Sequence, residues 1–304
     1  MRLLLFLALS CMEYDFKQKE KPNAPGDDTP ITDTSPPTDS SSHVDSGDTV
    51  ETGNSTVTPE LPVAVCDVTP NPVAPPHETA NWIGEDSYDP DGGAITDYDW
   101  TLSSLPNGSA ATMPNGAENR LFFTPDLAGD YVGQLVVTNE LGEQSEPCET
   151  TLESIPAEDL WVEMYWQYVD DDMDLHLIAP RGSYGSLDSD CYYLNCTPES
   201  QWFYDMDWGT AGYEGDDPSL DLDDITGTGP ENINIQVPQT DGIYTVIVHD
   251  YQGSTPDVYG PNNVTVNVYL NGSLAWTDTV AISGDDSVNE FAEIDWLTGT
   301  VTSL

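Results

Sequence analysis

From about residue 61 onward the chain is written in short runs rich in Val, Thr, Tyr and Trp. Each run is cut off by Gly, Pro, Asn or Asp, and no long helical period appears. Branched and aromatic side chains suit a pleated, half-buried surface, while the intervening residues favour turns. The pattern predicts an all-β chain of antiparallel sandwiches. Strands are expected over 63–68, 80–83, 98–102, 121–124, 131–139 and 148–154. A second set is expected over 160–169, 173–178, 232–237, 243–251, 263–270, 274–282 and 290–297. Along Val264 to Leu270 the alternation is strict, with Val264, Val266, Val268 and Leu270 on one face. Asn271-Gly272 after it is a type I′ hairpin signal.

A length of 304 residues suits two such domains, at roughly 150 residues each. We place them at 61–157 and 158–304, the second being a sandwich of jelly-roll or similar antiparallel type. Residues 12–60 have another texture, rich in Thr, Ser, Asp and Pro, with no apolar period. Such a segment buries too little surface to offset its ordering entropy. It is expected to be a disordered tether.

The chain opens Met1-Arg2, then an apolar run from Leu3 to Leu9, then Ser10-Cys11. A basic start, a short apolar run and a small residue form an export signal. The run is far shorter than the roughly 20 residues a membrane-spanning helix needs. These residues resemble a bacterial lipoprotein lipobox, which implies a signal peptide at 1–10 and lipid on Cys11. The expected location is the outer membrane or cell surface of a Gram-negative bacterium. An ordinary secretory signal is the other reading of the same residues. Lys17, Lys19 and Lys21 follow closely enough to touch lipid headgroups.

The five cysteines fit export. With Cys11 lipidated, Cys66, Cys148, Cys191 and Cys196 are left to pair in an oxidising compartment. Cys191 and Cys196 could close a small loop, or bind zinc as a Cys-x4-Cys pair.

The net charge is −49, from 6 basic and 55 acidic residues. That excludes nucleic-acid binding through phosphate neutralisation and electrostatic adhesion to anionic lipid. It fits a saline habitat equally well.

Several ordered motifs of the first domain resemble a PKD domain, an immunoglobulin-like sandwich. They are Pro62-Val63-Ala64, Ser87-Tyr88-Asp89-Pro90-Asp91-Gly92, Tyr98-Asp99-Trp100, Phe123-Thr124-Pro125-Asp126, Ala128-Gly129-Asp130-Tyr131 and the run from Leu135 to Gly142. The resemblance implies a spacer or binding module, and a Cys66–Cys148 bond would staple its first strand to its last. Asp89 and Asp91 are candidate calcium ligands or plain turn residues. The second domain resembles the YfaP-type secreted β domains. The motifs are Asp172-Met173-Asp174-Leu175-His176-Leu177, Leu220 to Asp224, Gly229-Pro230-Glu231-Asn232, Gly242-Ile243-Tyr244 and Val248-His249. That resemblance implies fold and location and brings no established activity.

Carboxylates crowd the second domain at Asp170, Asp172, Asp174, Asp221, Asp223, Asp224 and Glu231. Calcium takes 6–8 oxygen ligands and tolerates irregular loops, so it is the expected cofactor. A solvated acidic surface is the alternative. His176 and Asp174 share a strand face by the period of 2. With His249 they form an alternative metal set of zinc type, or each histidine is a buried or edge residue hydrogen-bonded to Asp. Trp202, Tyr204 and Trp208 are candidates for stacking on a sugar, against a role in core packing. No HExxH, GxSxG or phosphate-loop motif occurs, so a non-enzymatic binding module for glycan or protein is expected. The alternative is a metal-dependent secreted hydrolase, or a carbohydrate-binding accessory domain of one.

Overall fold

A computed structural model describes residues 59–200, 204, 206–252 and 260–304. The expected signal peptide, Cys11, almost all of the tether, and Trp202 lie outside the described residues. The described chain is all-β, with one 3-10 turn at Glu214–Asp216.

The first sandwich has two three-stranded antiparallel sheets. One holds β1 (Asp67–Thr69), β2 (Ala80–Ile83) and β4 (Arg120–Phe123), in that order. The other holds β3 (Ile95–Ser104), β5 (Gly129–Asn139) and β6 (Cys148–Ser154). Alternation in β5 sends Tyr131, Leu135 and Val137 inward against Trp82, Trp100 and Phe123. The Trp82 ring lies 5.9 Å from Trp100 and 5.8 Å from Phe123. A disulfide joins Cys66, just ahead of β1, to Cys148 at the start of β6, linking the two sheets.

Gly133 sits in the middle of β5, where glycine weakens a strand unless something approaches closely. Here the Trp82 ring does: a Cβ at Gly133 would meet it at 2.7 Å. Gly133→Ala is therefore expected to overpack the core and destabilise the protein by about 1–3 kcal/mol. Chemical unfolding measures this, and an unchanged midpoint would contradict the packing described.

The second sandwich has two five-stranded antiparallel sheets. One contains β10 (Ser219–Leu222), β11 (Glu231–Ile235), β7 (Leu160–Trp166), β13 (Asn262–Leu270) and β14 (Ser273–Ile282). The other contains β16 (Thr300–Ser303), β15 (Val288–Asp295), β12 (Ile243–Asp250), β8 (Met173–Ile178) and β9 (Asp190–Cys191). Leu160, Val162 and Met164 of β7 and Val264, Val266 and Val268 of β13 face Met173, Leu175 and Leu177 of β8 across the core. Asn271 and Gly272 join β13 to β14 with φ of 51° and 73°, as a type I′ turn requires. The short strands β9, β10 and β16 carry too few residues to show a period, and the sequence pattern does not reveal them.

Burial on both faces distinguishes β7 from an ordinary sandwich strand. Its outward residues Trp161 and Glu163 are covered by the first sandwich, whose Ala128 N–H donates to Glu163 Oε2 at 3.2 Å. Gly108, at φ +84°, lies flat on the Tyr165 ring and leaves no room there for a side chain. His77 Nε2 stands 3.3 Å from Asp221 Oδ2 across the same junction. The two sandwiches are thus packed into one unit.

Candidate functional site

The site grows from β8. Its odd positions Met173, Leu175 and Leu177 fill the core, so Asp174 and His176 project to the opposite face. On the neighbouring strand β12, His249 stands opposite Asp174 in register, and Ile247 stands opposite His176. His249 Nδ1 lies 3.2 Å from Asp174 Oδ2, and its Nε2 lies 3.0 Å from Asp286 Oδ1 in the loop before β15.

On the other side β8 is bordered by β9, which pairs only with Leu177 and Ile178. The N–H of Leu175 is therefore left over at that edge. Glu231, at the start of β11 in the facing sheet, accepts it through Oε2 at 2.8 Å. This carries a fully buried carboxylate to the foot of Asp174. Ligand oxygens of Asp174, Asp223 and Glu231 come within 4.8 Å of one another. Ligand atoms of Asp174, His176 and His249 do the same, so Asp174 belongs to both groups.

The electrostatics follow from that crowding. Loss of water, then Asp172, Asp223 and Asp250, push the Asp174 carboxyl up to about 8. Partial burial, then Asp223, Asp224 and Asp171, push Asp172 up to about 6. Burial and then Asp174 hold Glu231 well above the usual glutamate range. Asp223 is open to solvent on its outer side, yet water lost on its inner side and the neighbouring Asp224 raise it as well. Asp172 Oδ1 is buried without a hydrogen-bond partner. An oxygen-preferring dication would relieve this crowding, because it neutralises several carboxylates at once.

The other expected ligands have different surroundings. Asp224 organises its own loop, accepting N–H bonds from Thr226, Gly227 and Gly229, with its charge still felt at Asp172. Asp221 accepts from Ser219 and Asn234 and faces His77 at the domain junction. Asp170 and Asp221 are in neither group of converging ligand atoms. In the first sandwich Asp89 accepts from Asp91 N–H and Asn139 Nδ2, while Asp91 accepts from Glu60 N–H. Those bonds are turn chemistry. Trp208 is corrected: it is buried in the second core, its ring 6.2 Å from Tyr244 and its Nε1–H on Asp188 O. It has no free face for a sugar. Tyr204 is half-buried, and Cys191 and Cys196 form a buried disulfide, which removes their thiolates from any zinc site.

Other functional neighbours have no signal in the sequence. Asp190 is fully buried on β9 and places its two carboxylate oxygens 2.9 Å and 3.0 Å from His176 Nδ1. The Cys191–Cys196 bridge anchors the residue next to it. Around the two histidines stand tyrosines: Tyr192 stacked on His176 at 4.7 Å, Tyr184 at 4.9 Å from it, and Tyr251 at 6.2 Å from His249. A cleft of about 420 Å³ opens beside the carboxylates, lined by Thr112, Thr124 and Asp126 of the first sandwich and Asp223, Asp224 and Pro230 of the second.

No protein-family model and no curated protein matches the chain. Among solved structures, the PKD1 domain of Vibrio anguillarum Epp is 20% identical, covering 32% of this chain and 99% of its own, with a TM-score of 0.24. The PKD domain of the KIAA 1837 protein is 22% identical over 29% of this chain and 83% of its own, with a TM-score of 0.24. A carbohydrate-binding module of the β-sandwich superfamily, described as promiscuous in specificity, is 12% identical. It covers 77% of this chain and 84% of its own, with a TM-score of 0.28. At these scores the fold rests on the strand pairings above.

Proposed function

We propose that this chain is a non-enzymatic lipoprotein of the bacterial cell envelope, held to the membrane through Cys11. Its PKD-like and YfaP-like sandwiches form a calcium-stabilised binding or adhesion module for a glycan or a protein. The observation that supports this reading is the convergence of Asp174, Asp223 and Glu231 at one end of the second sandwich, with Asp172 close enough to feel the Asp223 charge. Crowded acids, two of them held on strands at Asp174 and Glu231, cost stability unless a cation joins them. The lipobox-like start and the tether composition support the membrane attachment.

Thermal unfolding of the full chain, chelated and then titrated with calcium, tests the cation. A ligand that binds only the native state adds about 2.7 kcal/mol at 100 times its Kd. A saturable rise given by calcium, and lost in Glu231→Gln and Asp223→Asn, is expected. A rise that depends only on ionic strength would mean the acids are surface solvation, and the reading would fall.

A further inference from the structure

The carboxylate group leaves His176 unexplained. Its Nδ1 faces both oxygens of Asp190, at 2.9 Å and 3.0 Å, and donates to that carboxylate. Asp190 Oδ2 also takes the Gly185 N–H at 2.7 Å, which leaves the carboxylate little freedom to turn. Nε2 is the ring nitrogen left over. It is buried without a hydrogen-bond partner, on a side chain only 3% exposed. A histidine buried for structure alone satisfies both ring nitrogens, since an unpaired buried polar atom costs about 1–3 kcal/mol.

His249 differs in that both of its ring nitrogens meet carboxylates. One nitrogen, Nε2, rests on an outer carboxylate, Asp286, and the other, Nδ1, turns to Asp174. Metal-bound histidines characteristically hold their second nitrogen on a carboxylate or carbonyl, which sets the tautomer and the ring direction. Here two imidazoles share that arrangement, and their ligand atoms converge with Asp174 to within 4.8 Å.

We propose that Asp174, His176 Nε2 and His249 Nδ1 bind a first-row transition-metal dication of the zinc class, with Asp190 and Asp286 as positioning residues. Two imidazoles and one carboxylate suit zinc, whereas calcium prefers oxygen donors throughout. Three protein ligands leave a fourth position of a tetrahedral site for water or a ligand. The Tyr184 ring stands 4.9 Å from His176 and 6.3 Å from His249, and the Tyr192 ring is stacked on His176. The inference shares Asp174 with the calcium reading and is distinguished from it by its two nitrogen donors, which belong to no part of the carboxylate group.

The test uses the full chain without a polyhistidine tag, stripped by chelator and titrated with Zn²⁺ in excess calcium. Co²⁺ serves as the spectroscopic probe. The expected result is one Zn²⁺ per chain, and visible Co²⁺ bands of four- or five-coordinate character that Zn²⁺ displaces. His176→Gln is expected to abolish both while leaving the calcium-dependent rise in thermal stability. Asp190→Asn is expected to weaken Zn²⁺ by about 10- to 100-fold. Circular dichroism of each variant checks that it folds, and the wild-type titration decides the matter even where a variant does not. Octahedral Co²⁺ spectra throughout, or Zn²⁺ affinity unchanged in folded His176→Gln, would overturn the proposal. Loss of the calcium effect alone would leave it standing.

Discussion

In chelator, the protein is expected to lose stability as the pH climbs from 3.8 towards 8, and saturating calcium is expected to remove most of that loss. Folded, the Asp174 carboxyl keeps its proton up to about 8, against an ordinary value of 3.8. Between those values the folded chain binds more protons than the unfolded one, so stability falls as pH rises. The contribution is fully present below 3.8 and lost on passing 8. Asp172, raised to about 6, and Glu231, raised further by burial, act with the same sign. Asp172 is the most open to water of the three, so solvent screening makes its share the smallest. A tenfold change in proton affinity is worth about 1.4 kcal/mol, so the summed effect reaches several kcal/mol. A bound dication takes the place of the protons, and the slope should flatten. Asp174→Asn should flatten the chelated profile too and weaken the response to calcium. Denaturant midpoints across the pH range measure both. A chelated profile that stays level between 3.8 and 8 would refute the crowding.

What the sequence reveals of this site divides along a physical line. Asp174 and His176 are legible because they sit within one strand, where a period of 2 assigns faces without any knowledge of neighbours, and Asp172 lies just ahead of it. Glu231 is legible as a carboxylate beside a strand, but its reach across the core to the Leu175 N–H depends on β9 being two residues long. Asp190 and Asp286 are not legible. Asp190 meets His176 because β9 borders β8, and Asp286 meets His249 because β15 borders β12, and that order is a property of the folded sheet. Trp208 shows the converse error. An aromatic beside acidic loops resembles a sugar platform in one dimension, yet the ring closes the second core against Tyr244. Most strands, by contrast, announce themselves: the hairpin at Asn271-Gly272 and the alternation of β13 require only local chemistry.

Glu163→Ala is expected to be among the most damaging single substitutions in the protein, with a cost of about 3–5 kcal/mol. In the sequence Glu163 is one acid inside an apolar strand. In the fold it is the pin between the two sandwiches. Its Oε1 accepts from Asn267 Nδ2 and Tyr269 OH, both at 3.0 Å. Its Oε2 accepts from Trp161 Nε1 at 3.1 Å and from Ala128 N–H of the first sandwich at 3.2 Å. Burial alone would drive this carboxyl towards neutrality, and those four donors oppose it. Deleting the side chain leaves four donors without an acceptor, two of them buried, and one of the buried pair belongs to the other sandwich. Glu163→Gln is the milder case, since its amide nitrogen cannot accept and two of the four donors must give way. The wild-type chain should unfold in one transition. Glu163→Ala should unfold in two, with protease cutting appearing between residues 155 and 159. A single transition within about 1 kcal/mol of wild type would show that the Tyr165–Gly108 and His77–Asp221 contacts suffice to couple the sandwiches. Because Asp223 and Asp224 share a cleft with Thr112 and Asp126, uncoupling should also weaken the response to calcium. The pin then serves the site as well as the fold.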